Sequence, residues 1–270
     1  MRLSSLSPWP YFIAALVLCW ALLIRNHLAV HGSGHAADPS AVWGMWTLMT
    51  VAMMAPTAVP VLASLRDVLT SSSIRPWWAF LGGYLVIWLG FAGAAATGQL
   101  WVIDLDLVGH DGSATSPALT GSLLAVAGVY QFSSLKRRCA TECVHPMTFF
   151  FQHWRDGVRG GARMGMRHGV SCLGCCWALM LLAFVGGVAN VWFMILSAVV
   201  MSVEKLPAVG RFVTAPLGVA LLIGSVVVVA GRSNDVDPAT HHQHSIESPN
   251  EQTPAEPVDA MKGNPWLRNP

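Results

Sequence analysis

Long apolar runs separated by short polar stretches fill the first 231 positions of the chain. Tyr11 to Val30, Val42 to Leu65, Trp77 to Ile103 and Pro117 to Leu135 each approach or exceed the roughly 20 residues that one helix needs to cross a bilayer core. Gly169 to Arg211 is about twice that length, which predicts two helices joined near Asn190. Phe212 to Gly231 supplies a seventh. Pro56 and Pro60 predict a kink in the second run, because proline removes a ladder donor and crowds the preceding turn. The first run starts like a leader, but only Arg2 precedes it and no small-x-small cleavage site follows, so it reads as a retained span. From Arg232 onward proline, histidine, asparagine and acidic residues replace the large apolar ones, the signature of a disordered tail. The expected fold is therefore all-α. It comprises a polytopic membrane helical bundle of about seven transmembrane helices over residues 1–231 and a disordered, His-containing tail over residues 232–270.

Composition supports that pattern. Hydrophobic residues make up 54% of the 270 positions and charged residues 11%, where a soluble domain carries about a quarter charged. The net charge of +2 matters less than where the charges lie. Lys136, Arg137, Arg138, Arg155, Arg159, Arg163 and Arg167 share one hydrophilic segment, whereas the loop across the fourth run holds Asp104, Asp106 and Asp111 without a basic residue. The basic segment is expected to be cytoplasmic, which puts the N-terminus inside and the C-terminal tail outside. This rule already explains the basic charge, so nucleic acid is not an expected partner. Arg155, Arg159, Arg163 and Arg167 recur every four residues after Phe149, Phe150, Phe151 and Trp154, as if a helix lay flat on anionic lipid. Gly157, Gly160, Gly161 and Gly165 weaken such a helix. No Walker, Rossmann or HExxH pattern occurs, and no segment could be a soluble nucleotide-binding domain, so coupling to ATP is not expected.

The chemistry lies in the sulfur. As a helix, the stretch from His168 to Met180 puts His168, Cys172, Cys176 and Met180 on one stripe with Cys175 beside it. Cys139 and Cys143 share a helical face, and by the topology above all five cysteines sit at the cytoplasmic side, where thiols stay reduced. Soft sulfur with one imidazole suits Cu(I) or Zn(II) rather than Mg or Ca. Met45, Met49 and Met53, with Met54 adjoining, form a thioether ladder down the second run, able to bind Cu(I) without losing a proton. Methionine is also ordinary core filler, and cysteine a small packing residue, which is how Cys19 reads. His27, His31 and His35 at the outer side, and His241, His242 and His244 in the tail, could collect metal or simply be solvated. Glu204 and Lys205, late in the sixth run, read either as a relay of protons or cations or as a helix-end anchor.

These residues carry a resemblance. Trp46 to Pro56 (WTLMTVAMMAP), Val129-Tyr130-Gln131, Leu135-Lys136 with Cys139 and Cys143, His153-Trp154-Arg155, His168-Gly169 running into Cys172-Leu-Gly-Cys175-Cys176-Trp177-Ala-Leu-Met180, and Glu204-Lys205 with Pro207 resemble a bacterial family of unknown function described as predicted metal-binding integral membrane proteins. The match covers most of residues 41 to 230. This chain has Ser134 and Val144 where the family usually shows proline and arginine. The resemblance implies metal binding in a bacterial inner membrane and implies no transport direction.

The reading that follows is a soft-metal-binding membrane protein, a binder more than an enzyme. Cys172, Cys175 and Cys176 form its core, Cys139 and Cys143 complete it, His168 and Met180 flank it, and Met45, Met49 and Met53 relay ions from the outer face. Cu(I) is the expected metal and Zn(II) the alternative, with the bilayer and a copper-handling protein as partners. Import of copper and delivery to a membrane cuproenzyme both fit. Two other readings stay open, a membrane thiol-disulfide oxidoreductase and a scaffold stapled by zinc.

Overall fold

The computed structural model describes residues 7–30, 38–69, 73–109, 112–188, 190–206 and 209–235. His31, His35, His241, His242, His244 and Pro207 lie outside the described residues. Within them the chain is helical throughout, with no strand. The helices are α1 (Trp9–Val30), α2 (Pro39–Thr57), α3 (Val59–Val68), α4 (Arg75–Asp104), α5 (Pro117–Gln131), α6 (Ser134–Val144), α7 (Pro146–His153), α8 (Gly157–Met180), α9 (Ala183–Gly186), α10 (Val191–Glu204) and α11 (Gly210–Asp235).

The helix starts follow from local sequence. Asp38 accepts from the Ser40 amide ahead of Pro39, and Ser116 accepts from the Leu119 amide ahead of Pro117. Each pairs a capping side chain with proline in the first turn, where its missing N–H costs nothing. Ser133 and Asn190 cap α6 and α10 in the same way.

Four helices are long and apolar enough to cross a membrane, and six spans result if each of two bent pairs counts as one. The pairs are α2 with α3, bent by 53°, and α5 with α6, bent by 64°. The expected sixth span is the 14-residue α10, which at 1.5 Å per residue reaches only about 21 Å. The apolar surface of the outer helices faces away from the protein. Only 6% of the α11 window is buried, against 61% of the α8 window.

The basic segment 136–167 is largely helical, occupied by α6, α7 and the first half of α8. Two boundaries differ from the sequence expectation. The fifth span begins at Gly157 rather than Gly169, with Arg155, Arg159, Arg163 and Arg167 exposed. Helix α11 continues to Asp235, past the expected start of the tail.

Two of the glycines expected to weaken the helix build the centre of the bundle. A Cβ on Gly161 or Gly165 would run into the main-chain carbonyls of Pro76 or Phe80 on α4, one on Gly83 into that of Ala162 on α8, and one on Gly169 would crowd the Ile87 side chain and the Tyr84 carbonyl. The two helices thus meet backbone to backbone, the close approach that small residues at four-residue spacing allow. Tertiary contact outweighs the roughly 1 kcal/mol helix cost of each glycine. Around this pair, α2 packs on α4, α6 on α8, and α1 and α10 on α2, while α5 pairs with α11.

Candidate metal centre

The two bends aim side chains at the middle of α8. At the first bend the Ala58 amide turns to the Ala55 carbonyl instead of continuing the ladder to Met54. The Met54 carbonyl, left without its helical partner, accepts from Thr57 Oγ1 at 2.8 Å and from Tyr84 OH at 2.9 Å. At the second bend Ser133 restarts the helix, so that α6 lies along α8. Two contacts fix its register: Ser171 Oγ donates to Glu142, and Cys139 lies against Gly174, where a Cβ would come within 2.6 Å of its sulfur. Just before the bend, Tyr130 of α5 donates its OH to the Gly174 carbonyl.

That register brings thiols from two helices together. Cys143 Sγ is 4.0 Å from Cys175 Sγ, and the sulfurs of Cys143, Cys172 and Cys175 all lie within 4.8 Å of one another, every one buried. Thiolates about 2.3 Å from a common metal ion stand roughly 4 Å apart, so little rearrangement would close this triangle. Cys176 lies outside it. Its thiol donates to the Cys172 carbonyl at 2.9 Å and lies 3.8 Å from the Met54 thioether. All six cysteines are free thiols.

Polar groups converge on Cys172. Lys205 Nζ donates to its sulfur at 3.0 Å and to Thr57 Oγ1 at 2.9 Å, and Tyr84 OH lies 3.3 Å from the same sulfur. Lys205 therefore sets one positive charge against the thiol cluster, offsetting part of the charge that metal-bound thiolates would carry. The preceding residue, Glu204, forms a buried ion pair with Lys136 of α6, Oε2 to Nζ 2.9 Å, the side chains only 7% and 4% exposed. Two consecutive residues at the end of α10 thus serve the same region differently, one holding α6 and the other facing the sulfur.

The remaining candidates are placed as follows. Cys139 is half-buried beside Gly174. His168 is buried among the rings of Phe80, Tyr84 and Phe149, with centroids 5.9, 5.9 and 5.3 Å away, and its Nδ1 has no hydrogen-bond partner. Met180 is buried one turn beyond Cys176, Met49 and Met53 are buried on α2, and Met45 is half-buried. The thioether that meets a thiol is Met54, adjacent to the four-residue ladder. Thr57 and Tyr84 carried no sequence signal, whereas the charged pair at 204–205 in an apolar run did.

A family model for a copper chaperone, PpoB2, matches residues 43–228, which is more than half of the chain and includes every residue of this cluster. The chain belongs to the PpoB2 copper chaperone family. No curated protein and no solved structure matches it. Membership makes the protein one of a copper-related family, as the resemblance over residues 41 to 230 implied for metal in general. Among the described residues, the buried cysteine trio is a group that could hold a metal ion.

Proposed function

We propose that this protein is a multi-pass membrane copper chaperone that takes Cu(I) into the Cys143, Cys172 and Cys175 site and hands it to a membrane acceptor. One observation carries the reading, the convergence of three buried sulfurs from α6 and α8 within 4.8 Å. A trithiolate suits Cu(I), whereas structural zinc takes four ligands in a tetrahedron. Cys176 with Met54, one helical turn along α8, offers a second soft position through which the ion can pass by stepwise exchange of one sulfur ligand for another. Four helices of spanning length support the membrane location, and the basic residues of α6 to α8 support a cytoplasmic position for the site. The complete burial of Cys172 and Cys175 favours a small ionic cargo over a protein disulfide as the thing these thiols meet.

Copper and zinc should be measured on full-length protein purified without added metal. Stoichiometric copper is expected, retained by Cys19→Ser and lost in the Cys143→Ser, Cys172→Ser double variant. Zinc in its place, or copper undiminished in the double variant, overturns the reading.

A further inference from the structure

On the outward face of the α7–α8 corner, away from the thiols, lies a cavity of about 600 Å³ into which Arg155, Arg163 and Arg167 project. Arg163 and Arg167 come from successive turns of α8, and Arg155 from the corner itself. The sharp turn there needs Gly157 at φ +75° and Gly160, whose missing Cβ leaves room for the Arg155 main chain. The nearby carboxylates lie outside the cavity, and one of them pairs with Arg167. Asp156 accepts from Trp154 Nε1 at 2.9 Å, and Glu142 accepts from Ser171 and lies 3.8 Å from Arg167. No carboxylate lines the cavity, and Arg155 and Arg163 have no ion pair among the described residues. Beside the guanidinium groups the wall turns apolar and faces outward, with Met166 38% and Val170 57% exposed.

Three planar cations with an outward-facing apolar flank match a ligand that carries an anionic phosphate diester on an acyl chain. Guanidinium binds phosphate oxygens in pairs, and the adjoining apolar strip would let the chains remain in lipid. We infer that this cavity is a binding site for the headgroup of an anionic phospholipid, which seats the α7–α8 corner on the membrane surface. The inference rests on the membrane location proposed above and is independent of the metal.

Native mass spectrometry of the full chain released from nanodiscs of mixed phosphatidylglycerol and phosphatidylcholine tests it. The wild type should retain phosphatidylglycerol in preference to phosphatidylcholine. The Arg155→Gln, Arg163→Gln double variant should lose that preference by about tenfold or more, while Arg159→Gln, exposed on α8 outside the cavity, should keep it. Unchanged copper content will show that the variants are folded. Equal retention of both lipids, the same loss in Arg159→Gln, or binding of inorganic phosphate that phosphatidylglycerol does not displace each overturns the inference. Protein that stays soluble without detergent or lipid would instead remove the membrane reading beneath it.

Discussion

The bends at α2–α3 and α5–α6 both bring side chains to α8, but they are made differently and deliver different chemistry. Prolines flank the first, with Pro56 inside α2 and Pro60 in the opening turn of α3. It delivers neutral groups, namely the freed Met54 carbonyl, the Thr57 hydroxyl and the Met54 sulfur. The second is a polar restart capped by Ser133, and it delivers charge and thiols through Lys136, Glu142, Cys139 and Cys143. The comparison teaches that the first bend lines the site with neutral groups, whereas the second brings the thiol that completes the trio. Helix α8 contributes sulfur to both neighbourhoods.

The largest effect that separates the two lies at Lys136. Lys136→Met leaves Glu204 buried without its cation, and Glu204 Oε1 already has no partner, so a loss of about 3–5 kcal/mol is expected. Adding Glu204→Leu should recover most of it, which thermal unfolding in detergent would show. Next comes Cu(I) affinity, measured by competition with a chromophoric chelator. Cys143→Ser should weaken it by more than about 100-fold, beyond the range for outer partners of metal sites, and Met54→Leu by about tenfold, at the foot of that range. Equal losses would make the two bends equivalent. The smallest effect is at Tyr84. Tyr84→Phe leaves the Met54 carbonyl with the Thr57 hydroxyl and the Cys172 sulfur with Lys205, and should cost about 1 kcal/mol in thermal unfolding.

The apolar runs showed the all-helical architecture and the cysteine spacings showed the face of α8, because both depend on a period that a single helix imposes. The proline kink near Pro56 was visible for the same local reason. Features that depend on a partner helix were hidden. Gly161 and Gly165 read as helix weakeners because propensity is a property of an isolated helix, whereas the α4 carbonyls that require them come from some 85 residues earlier in the chain. The four-residue rhythm of Met45, Met49 and Met53 drew attention from Met54, whose role depends on the break just beyond it. Glu204 and Lys205 could be seen to matter, but their division between α6 and Cys172 appears only once α10 ends beside both.

Where Gly161 and Gly165 of α8 meet α4, main chain lies against main chain with no side chain between. That close approach is what sets Tyr84 of α4 3.3 Å from the Cys172 sulfur of α8. Two of the three clustered sulfurs belong to α8 and the third to α6, which one buried ion pair ties to α10, so widening the trio means parting α6 from α8 against that tether.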